Sequence, residues 1–183
     1  HESLAQVLKK DARYGASNVL GGKKIHIEFV SANPTGPLTI ANGRGGFFGD
    51  VLANVLLAAG AKVTREYYVN DAGNQIKTLG ESVLAAGGKL PPAEHHYQGS
   101  YVADFAREFS VRLEEYLSDP EELGRIVAEA ILERAIRPPL KKAGIGFDVW
   151  TSEHRDIRLK GLVEKALREL SRLGHAYEKD GAV

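Results

Sequence analysis

Residues Glu28–Asp50 read EFVSANPTGPLTIANGRGGFFGD, and this stretch decides the fold of the chain. An apolar strand runs into a turn rich in Pro and Gly, and the turn opens into a glycine-rich helix. This order places unpaired backbone N–H groups and a helix N-terminus at the carboxyl end of a strand. Such a place favours anions, because the amides and the helix dipole both point towards it. Open α/β sheets bind their ligands at the same edge.

The segments on either side of this stretch predict a βαβ unit. Residues Ile25–Ser31 have the apolar pattern of a buried strand, and Lys62–Val69 is rich in β-branched and aromatic residues. Their order with the helix between them predicts parallel strands, a right-handed crossover and an α/β fold. The helix, from Asn42 to a stop at Gly60, is expected to pack on the sheet through two adjoining apolar stripes: Phe47, Val51 and Val55, and Phe48, Leu52 and Leu56.

The rest of the chain predicts mostly helix, after a sheet-forming part that extends to about Ala86 and a loop that begins near Pro91. Asp119 predicts a helix N-cap, since Pro120 and two acidic residues follow it, and Pro138-Pro139 should interrupt or end that helix. The remaining predicted elements are helices over Ser3–Tyr14, Asp71–Gly87, Tyr101–Leu117 and Ile157–Leu173, and a short strand over Phe147–Trp150.

Composition excludes several classes of protein. The 183 residues include 24 basic and 24 acidic ones, so the chain lacks the basic excess of a protein that binds RNA on its own. There is no cysteine, which excludes disulfides and thiolate zinc sites and fits a reducing compartment. No apolar run approaches the roughly 20 residues that span a bilayer. The chain starts at His1 without methionine and stops just after a hairpin signal at Lys179-Asp180-Gly181, so both ends are expected to be cuts.

Glu28 and Asn33 are the first candidate site residues. Strand alternation puts Glu28 on the face opposite Ile27 and Phe29, near the ligand end of the strand, and Asn33 follows in the turn. A carboxylate and an amide together can grip a cationic group. The structural alternative is that Glu28 pairs with a nearby lysine, since a lone buried charge is costly, and that Asn33 caps the turn.

The start of the helix, Thr39 to Gly46, is the second candidate. Small residues let a nucleotide approach the backbone, Thr39 offers a hydroxyl, and Arg44 can reach an anion. The alternative is close packing of the helix on the strand, with Asn42 as a helix cap. The pattern is neither a Walker loop nor a GxGxxG fingerprint.

Two further features predict structure rather than chemistry. Asp71 ends the second strand and is expected to be the N-cap of the next helix. The His95-His96 pair lies in a Pro-rich loop, where adjacent histidines rarely chelate one ion together and the sequence shows no third ligand. The pair therefore predicts a surface loop and no metal site.

Several motifs, in order and spacing, closely resemble those of arginyl-tRNA synthetase, a class I aminoacyl-tRNA synthetase. They are SANPTGPL, GRGGFFGDVLANVLLAAG and REYYVNDAGNQI, followed by YQGSYVADFA, GIGFDVWTSE and LVEKALRELSRLGHAYEKDGA. The resemblance runs from about Lys10 to the end of the chain.

The resemblance implies a fragment of the catalytic domain of an arginine–tRNA ligase. Residues 1–24 would lead into the core, residues 25–90 would form the first half of a Rossmann-type parallel sheet, and residues 91–183 would start a mostly helical connective insertion. The family activates arginine with ATP, with Mg²⁺ expected alongside the nucleotide, and ligates it to tRNA(Arg). A cytoplasmic protein without membrane contact is implied, and the oligomeric state is left open.

By match of motif, Glu28 would hold the guanidinium of the arginine substrate, and Asn33 would hold the polar end of the same substrate. The guanidinium would then be the charge partner that Glu28 lacks in the strand itself. The helix N-terminus would face ATP. The ATP-binding positions would be Thr39, Ala41, Asn42, Gly43 and Arg44, and the catalytic positions Thr39 and Asn42.

The signature His-x-Gly-His of class I enzymes is altered here to Thr39-Ile40-Ala41-Asn42. Thr39 offers a hydrogen bond but no cation, and loss of a charge-stabilising donor can cost roughly 3 kcal/mol, about a hundredfold in rate. The class I lysine loop (KMSKS) is not in the chain, so these residues alone are expected to be inactive. A non-catalytic paralogue that serves as a binding or regulatory module is the alternative. Glu28 and Asn33 speak against a third possibility, another nucleotidyl transferase on the same fold.

Overall fold

The computed structural model describes residues 2–177. The chain forms two compact units that interleave along the sequence, since each is built from three separate segments. The first unit comprises residues 2–32, 37–68 and 134–150, and the second comprises residues 33–36, 69–133 and 151–177.

The first unit contains a parallel β-sheet. Strand β1 (Lys24–Glu28) pairs with β2 (Lys62–Val69) in parallel, in a register that sets Glu28 opposite Glu66. The third strand, β3 (Val149–Ser152), lies beyond β2, so the strand order is β1-β2-β3. The α/β fold predicted from the βαβ pattern is confirmed, and β2 has the predicted bounds.

Helix α2 (Ile40–Ala58) connects β1 to β2, but the predicted packing face is wrong. Its buried residues are small ones, Gly46, Gly49 and Ala53. A Cβ atom on Gly49 would lie 2.3 Å from the Phe29 ring, so the helix approaches the strand too closely for large side chains between them. The residues of the predicted face are exposed or half-buried instead: Phe47, Phe48, Val51, Leu52, Val55 and Leu56.

Aromatic rings form the centre of the first unit. Phe29 and Phe147 have ring centroids 4.6 Å apart, and Tyr67 stacks on Trp150 at 4.4 Å. The Arg137 guanidinium lies 3.8 Å from the centroid of the Trp150 ring. Such contacts contribute about 0.5–1.5 kcal/mol each beyond the area that they bury. The first unit also contains α1 (Glu2–Lys10) and α6 (Arg137–Lys142).

Two helices in close contact form the core of the second unit. Helix α3 (Asn74–Ala86) packs on α5 (Pro120–Ile131), and glycines stand at the crossing. A Cβ on Gly80 would lie 1.8 Å from the Pro120 carbonyl oxygen, and one on Gly124 would lie 1.9 Å from the Ile76 oxygen. Only glycine permits this backbone approach.

The start of α5 confirms the predicted cap, since the Asp119 carboxylate accepts from the Glu122 N–H at 3.0 Å. Its C-terminal end continues as a π-helical turn before α6, which contains both prolines of the Pro138-Pro139 pair. The helix is therefore interrupted ahead of the pair, and the prolines themselves lie in the first turn of α6.

The helix predicted over Tyr101–Leu117 is broken in two. Helix α4 (Ser100–Glu108) ends early, and Leu113–Tyr116 forms a single 3₁₀ turn. Ser110 and Val111 between them are weak helix formers, and the break still lets Leu113 reach the core.

The last helix, α7 (Leu162–Arg172), is shorter than predicted, because a π-helical turn occupies Glu153–Arg158 before it. The hairpin signal at Lys179-Asp180-Gly181 lies outside the described residues. Within residues 2–177, no helix combines the length and the apolar character needed to cross a bilayer.

Candidate functional site

Strand β1 ends in a strained turn, at the edge where the sequence predicts the site. Val30 and Ser31 have φ angles of +66° and +37°, a region that β-branched residues such as valine rarely adopt. The Ser31 N–H donates to the Phe29 carbonyl at 3.0 Å, which closes a three-residue γ-turn about Val30. Such strain costs about 1–3 kcal/mol per residue and is concentrated at functional sites, where surrounding contacts maintain it.

Strand β2 supplies the contacts that maintain this turn. The Tyr68 N–H donates to Ser31 Oγ at 3.0 Å, and the Tyr67 hydroxyl donates to the Ala32 carbonyl at 2.9 Å. Tyr67 is fully buried, and burial raises its pKa well above the ordinary value for a phenol. The hydroxyl therefore remains a neutral donor that holds the turn.

Glu28 lies on the exposed face of β1, as strand alternation predicts, with Ile25 and Ile27 on the more buried face. The register sets it opposite Glu66, whose carboxylate contacts Nε2 of His26. Like charges directly opposite each other in a sheet repel. Among residues 2–177 no lysine or other cation pairs with Glu28, so the structural alternative for this carboxylate is not realised there.

Asn33 belongs to the second unit. Its Nδ2 donates to Oε1 of Gln75 at 2.6 Å, and Gln75 lies in the first turn of α3. The bond uses the side-chain nitrogen of Asn33, and it leaves the side-chain oxygen, Oδ1, available as an acceptor. Sequence reasoning missed Gln75; its place directly after the Asp-Ala-Gly-Asn turn, at a helix start, was the signal available.

Thr39 and Asn42 form a capping box at the start of α2. Thr39 is the N-cap, where its Oγ1 accepts from the Asn42 N–H at 3.4 Å, while Asn42 Oδ1 accepts from the Thr39 N–H at 2.8 Å. The Thr39 hydroxyl also donates to Asn42 Oδ1 at 2.7 Å. Asn42 therefore takes part in the helix cap, as predicted, but as the third residue of the helix, and the N-cap itself is Thr39. Because Oδ1 faces Thr39, the Asn42 Nδ2 is turned away from it as a free donor.

The surface around this cap is open and suits an anion. Ala41 and Arg44 are exposed, and a Cβ on Gly43 would meet no atom within 4 Å. No described residue forms an ion pair with Arg44. The first turn contains no acidic residue, and the N–H groups of a first turn lack partners within the helix.

Asp71 is not the N-cap of α3, so that prediction is wrong. The N-cap is Gly73, with a φ of +80° and no side-chain capping bond. The Asp71 carboxylate instead accepts from the Ser152 hydroxyl at 2.6 Å and from the His154 N–H at 2.8 Å. It therefore holds together two segments of the second unit that are distant in sequence.

A separate polar cleft of about 340 Å³ in the first unit is occupied by internal ion pairing. Arg65 donates from Nη2 to Asn54 Oδ1 at 2.7 Å, and its Nε lies 3.5 Å from Asp50 Oδ1. The Asp148 carboxylate accepts from the Arg65 N–H at 2.8 Å. The polar groups of the cleft thus bind mainly one another, although the buried Arg65 Nε has no hydrogen-bond partner among the described residues.

Comparison with known proteins supplies the family. No family model matches the chain. An arginine–tRNA ligase from Carboxydothermus hydrogenoformans is 41% identical over 98% of this chain, and one from Frankia alni is 43% identical over the whole of it. The chain spans about a third of the length of these curated relatives, 34% in both cases.

The fold agrees with these relatives. A crystal structure from Campylobacter jejuni, assigned to the arginyl-tRNA synthetases, superposes with a TM-score of 0.80 at 32% identity. The match covers 98% of this chain and 41% of that one. Likeness in sequence along nearly its whole length, together with the shared fold, shows that this chain belongs to the arginyl-tRNA synthetase family.

Proposed function

We propose that this chain contributes the arginine- and ATP-facing part of an enzyme that ligates arginine to tRNA(Arg). Residues 25–90 would supply the first half of its nucleotide-binding domain, and residues 91–183 the start of the connective insertion. The protein would work in the cytoplasm on arginine, ATP and tRNA(Arg). The observation that carries the proposal is the unpaired, exposed carboxylate of Glu28 at the end of β1, directly before a strained turn.

Glu28 is proposed to bind the arginine guanidinium. Its opposition to Glu66 raises the local negative potential, which a cationic ligand would relieve. A guanidinium presents paired N–H donors that match the two oxygens of a carboxylate. Asn33 is proposed for the polar end of the amino acid, because its carbonyl oxygen remains an acceptor after its amide nitrogen bonds Gln75.

The start of α2 is proposed to bind ATP. The Asn42 Nδ2, the first-turn N–H groups that precede Asn42 and the Arg44 guanidinium are the donors for phosphate, and Gly43 and Ala41 leave room beside the backbone. Thr39 and Asn42 are the proposed catalytic residues. The Thr39 hydroxyl is engaged by Asn42, so we propose that Thr39 acts chiefly by fixing the orientation of the Asn42 amide.

The first turn of α2 offers no carboxylate to Mg²⁺. An Mg²⁺ ion would therefore enter bound to the phosphates of ATP, as this ion commonly does, with the chain contributing donors to the phosphate oxygens.

The test is Glu28→Gln in the full-length protein, assayed by arginine-dependent ATP–pyrophosphate exchange in the presence of tRNA(Arg). Loss of a charge-assisted bond should cost about 2–3 kcal/mol, so KM for arginine should rise roughly 30- to 150-fold while KM for ATP changes little. The 183-residue chain by itself should show no exchange, because it contains no class I lysine loop.

Glu164→Gln, which removes an exposed carboxylate in α7, is the matched control and should leave both constants unchanged. An unchanged KM for arginine in Glu28→Gln would refute the proposed role. Calorimetric binding of arginine by a full-length protein that shows no exchange would instead favour the non-catalytic paralogue. The altered Thr39-Ile40-Ala41-Asn42 signature is the sequence feature that supports this alternative.

A further inference from the structure

We propose that Glu81, His95 and His96 form a binding site for a divalent transition-metal ion of the Zn²⁺ class. One ligand atom from each of the three side chains lies within 4.8 Å of the other two. The His95 Nε2 is 3.8 Å from Glu81 Oε2. Two imidazoles and a carboxylate are a ligand set that zinc sites use, and a fourth position stays open to water. The inference stands apart from the proposed ligase activity.

The fold supplies the third ligand that the local sequence lacks. Glu81 lies on α3, whose buried residues Leu79 and Val83 fix the orientation of the helix in the core. The site is thus a product of tertiary structure, since Glu81 and His95 are 14 positions apart along the chain.

A clamp next to the cluster holds the histidine loop over α3. The Tyr97 N–H donates to Ser82 Oγ at 2.9 Å, and the Ser82 hydroxyl donates to the Thr78 carbonyl at 2.6 Å. Ser82 is buried, with 2% of its surface exposed. Because Ser82 is adjacent to Glu81 and Tyr97 is adjacent to His96, the clamp sets the separation of these two ligands. A site arranged in advance loses less entropy on binding.

The distances suit an ion after small side-chain rotations. Tetrahedral zinc with bonds of about 2.0–2.2 Å places its ligand atoms roughly 3.4 Å apart. His95 is exposed and can rotate to close the remaining gap. The two imidazole rings lie edge to face with centroids 4.7 Å apart, so they do not stack against each other.

Two existing contacts bear on binding. The His96 Nδ1 accepts from the Ala93 N–H at 3.2 Å, and coordination through His96 would replace this bond. Lys77 Nζ lies 3.8 Å from Glu81 Oε1, the other oxygen of the carboxylate, so this ion pair can persist beside a metal on Oε2.

The test is calorimetric titration of the 183-residue protein with ZnCl₂. We expect one equivalent to bind, and at least a tenfold loss of affinity in each of Glu81→Gln, His95→Gln and His96→Gln. His175→Gln removes an exposed histidine that is outside the cluster, and it should bind as the parent does. Millimolar Mg²⁺ should not compete, because Mg²⁺ prefers oxygen ligands over imidazole.

A melting curve recorded without metal distinguishes a loss of metal binding from a loss of folding. All three variants should unfold at the parent temperature, since the side chains are exposed or half-buried, and added Zn²⁺ should raise the melting temperature of the parent alone. Equal affinity in the parent and the three variants, or no binding below about 0.1 mM free Zn²⁺, would overturn the inference.

Discussion

At the scale of single residues, Tyr67 connects the core to the strained turn after β1. Its ring stacks on Trp150 and its hydroxyl holds the Ala32 carbonyl. Burial raises the pKa of Tyr67, and burial also raises that of Tyr101, whose hydroxyl donates to the Thr35 carbonyl at 2.7 Å. The folded chain therefore keeps both phenol hydroxyls protonated and neutral.

Above pH 10, the structure predicts a loss of stability through these two phenols. The unfolded chain gives up their protons near pH 10 and the folded chain retains them, so the free energy of unfolding falls as pH rises, by up to about 1.4 kcal/mol per pH unit for the buried Tyr67 and by less for the partly exposed Tyr101. Urea denaturation at pH 9, 10 and 11 measures the slope. Tyr67→Phe should flatten it and Tyr14→Phe, at an exposed position, should not; an equal slope in Tyr67→Phe and the parent would contradict the assignment.

The capping box also shows what can be inferred residue by residue. Thr39 and Asn42 were identified from their place at a helix start, but which of them caps depends on where the helix begins. That start is set by the turn residues that precede it, and a shift of two or three residues lies within the usual uncertainty of helix ends.

At the scale of elements, α2 is positioned by its small residues. Close approach to β1 leaves no room for a side chain at Gly49, whereas Gly45 faces open space. The periodic apolar residues that predicted the packing face lie on the outside, with Phe47 at 56% and Phe48 at 72% exposure. Periodicity identified the helix correctly but could not reveal that glycines, which carry no hydrophobic signal, form the contact.

A matched pair of substitutions tests this packing. Gly49→Ala should destabilise the protein by about 1–3 kcal/mol, because the added methyl collides with the Phe29 ring. Gly45→Ala should stabilise it by roughly 0.5–1 kcal/mol, since alanine is the better helix former and meets no neighbour. Chemical denaturation of both variants gives the two values. Equal effects of the two substitutions would mean that α2 does not pack on β1 through Gly49.

At the scale of the whole molecule, the zero net charge and the exposed apolar surface of α2 both favour self-association of the chain. The chain has a formal net charge of 0 and an isoelectric point near 7.2, so electrostatic repulsion between copies is weak at neutral pH. Exposed apolar patches promote association.

The double variant Phe47→Ser/Phe48→Ser should therefore reduce self-association of the 183-residue chain while changing its stability by less than about 0.5 kcal/mol for each residue. Sedimentation velocity at several concentrations near pH 7 measures the first, and urea denaturation the second. Val111→Ser, which removes a valine that is 90% exposed in the second unit, is the control and should leave association unchanged. A loss of folding in the double variant would show that these rings belong to the core.

The sequence by itself determined the βαβ order, the bounds of β2, the Asp119 cap and the family, because each depends on residues close together in the chain or on motifs in order. Only the tertiary structure decided that Asp71 bonds Ser152, 81 residues away, that glycines face the sheet from α2, and that Glu81 stands beside His95 and His96. The physical reason is the separation along the chain over which each kind of interaction acts. Helix periodicity, caps and turns act over about four residues, whereas contacts between distant segments follow from how closely backbones approach, which no local pattern encodes.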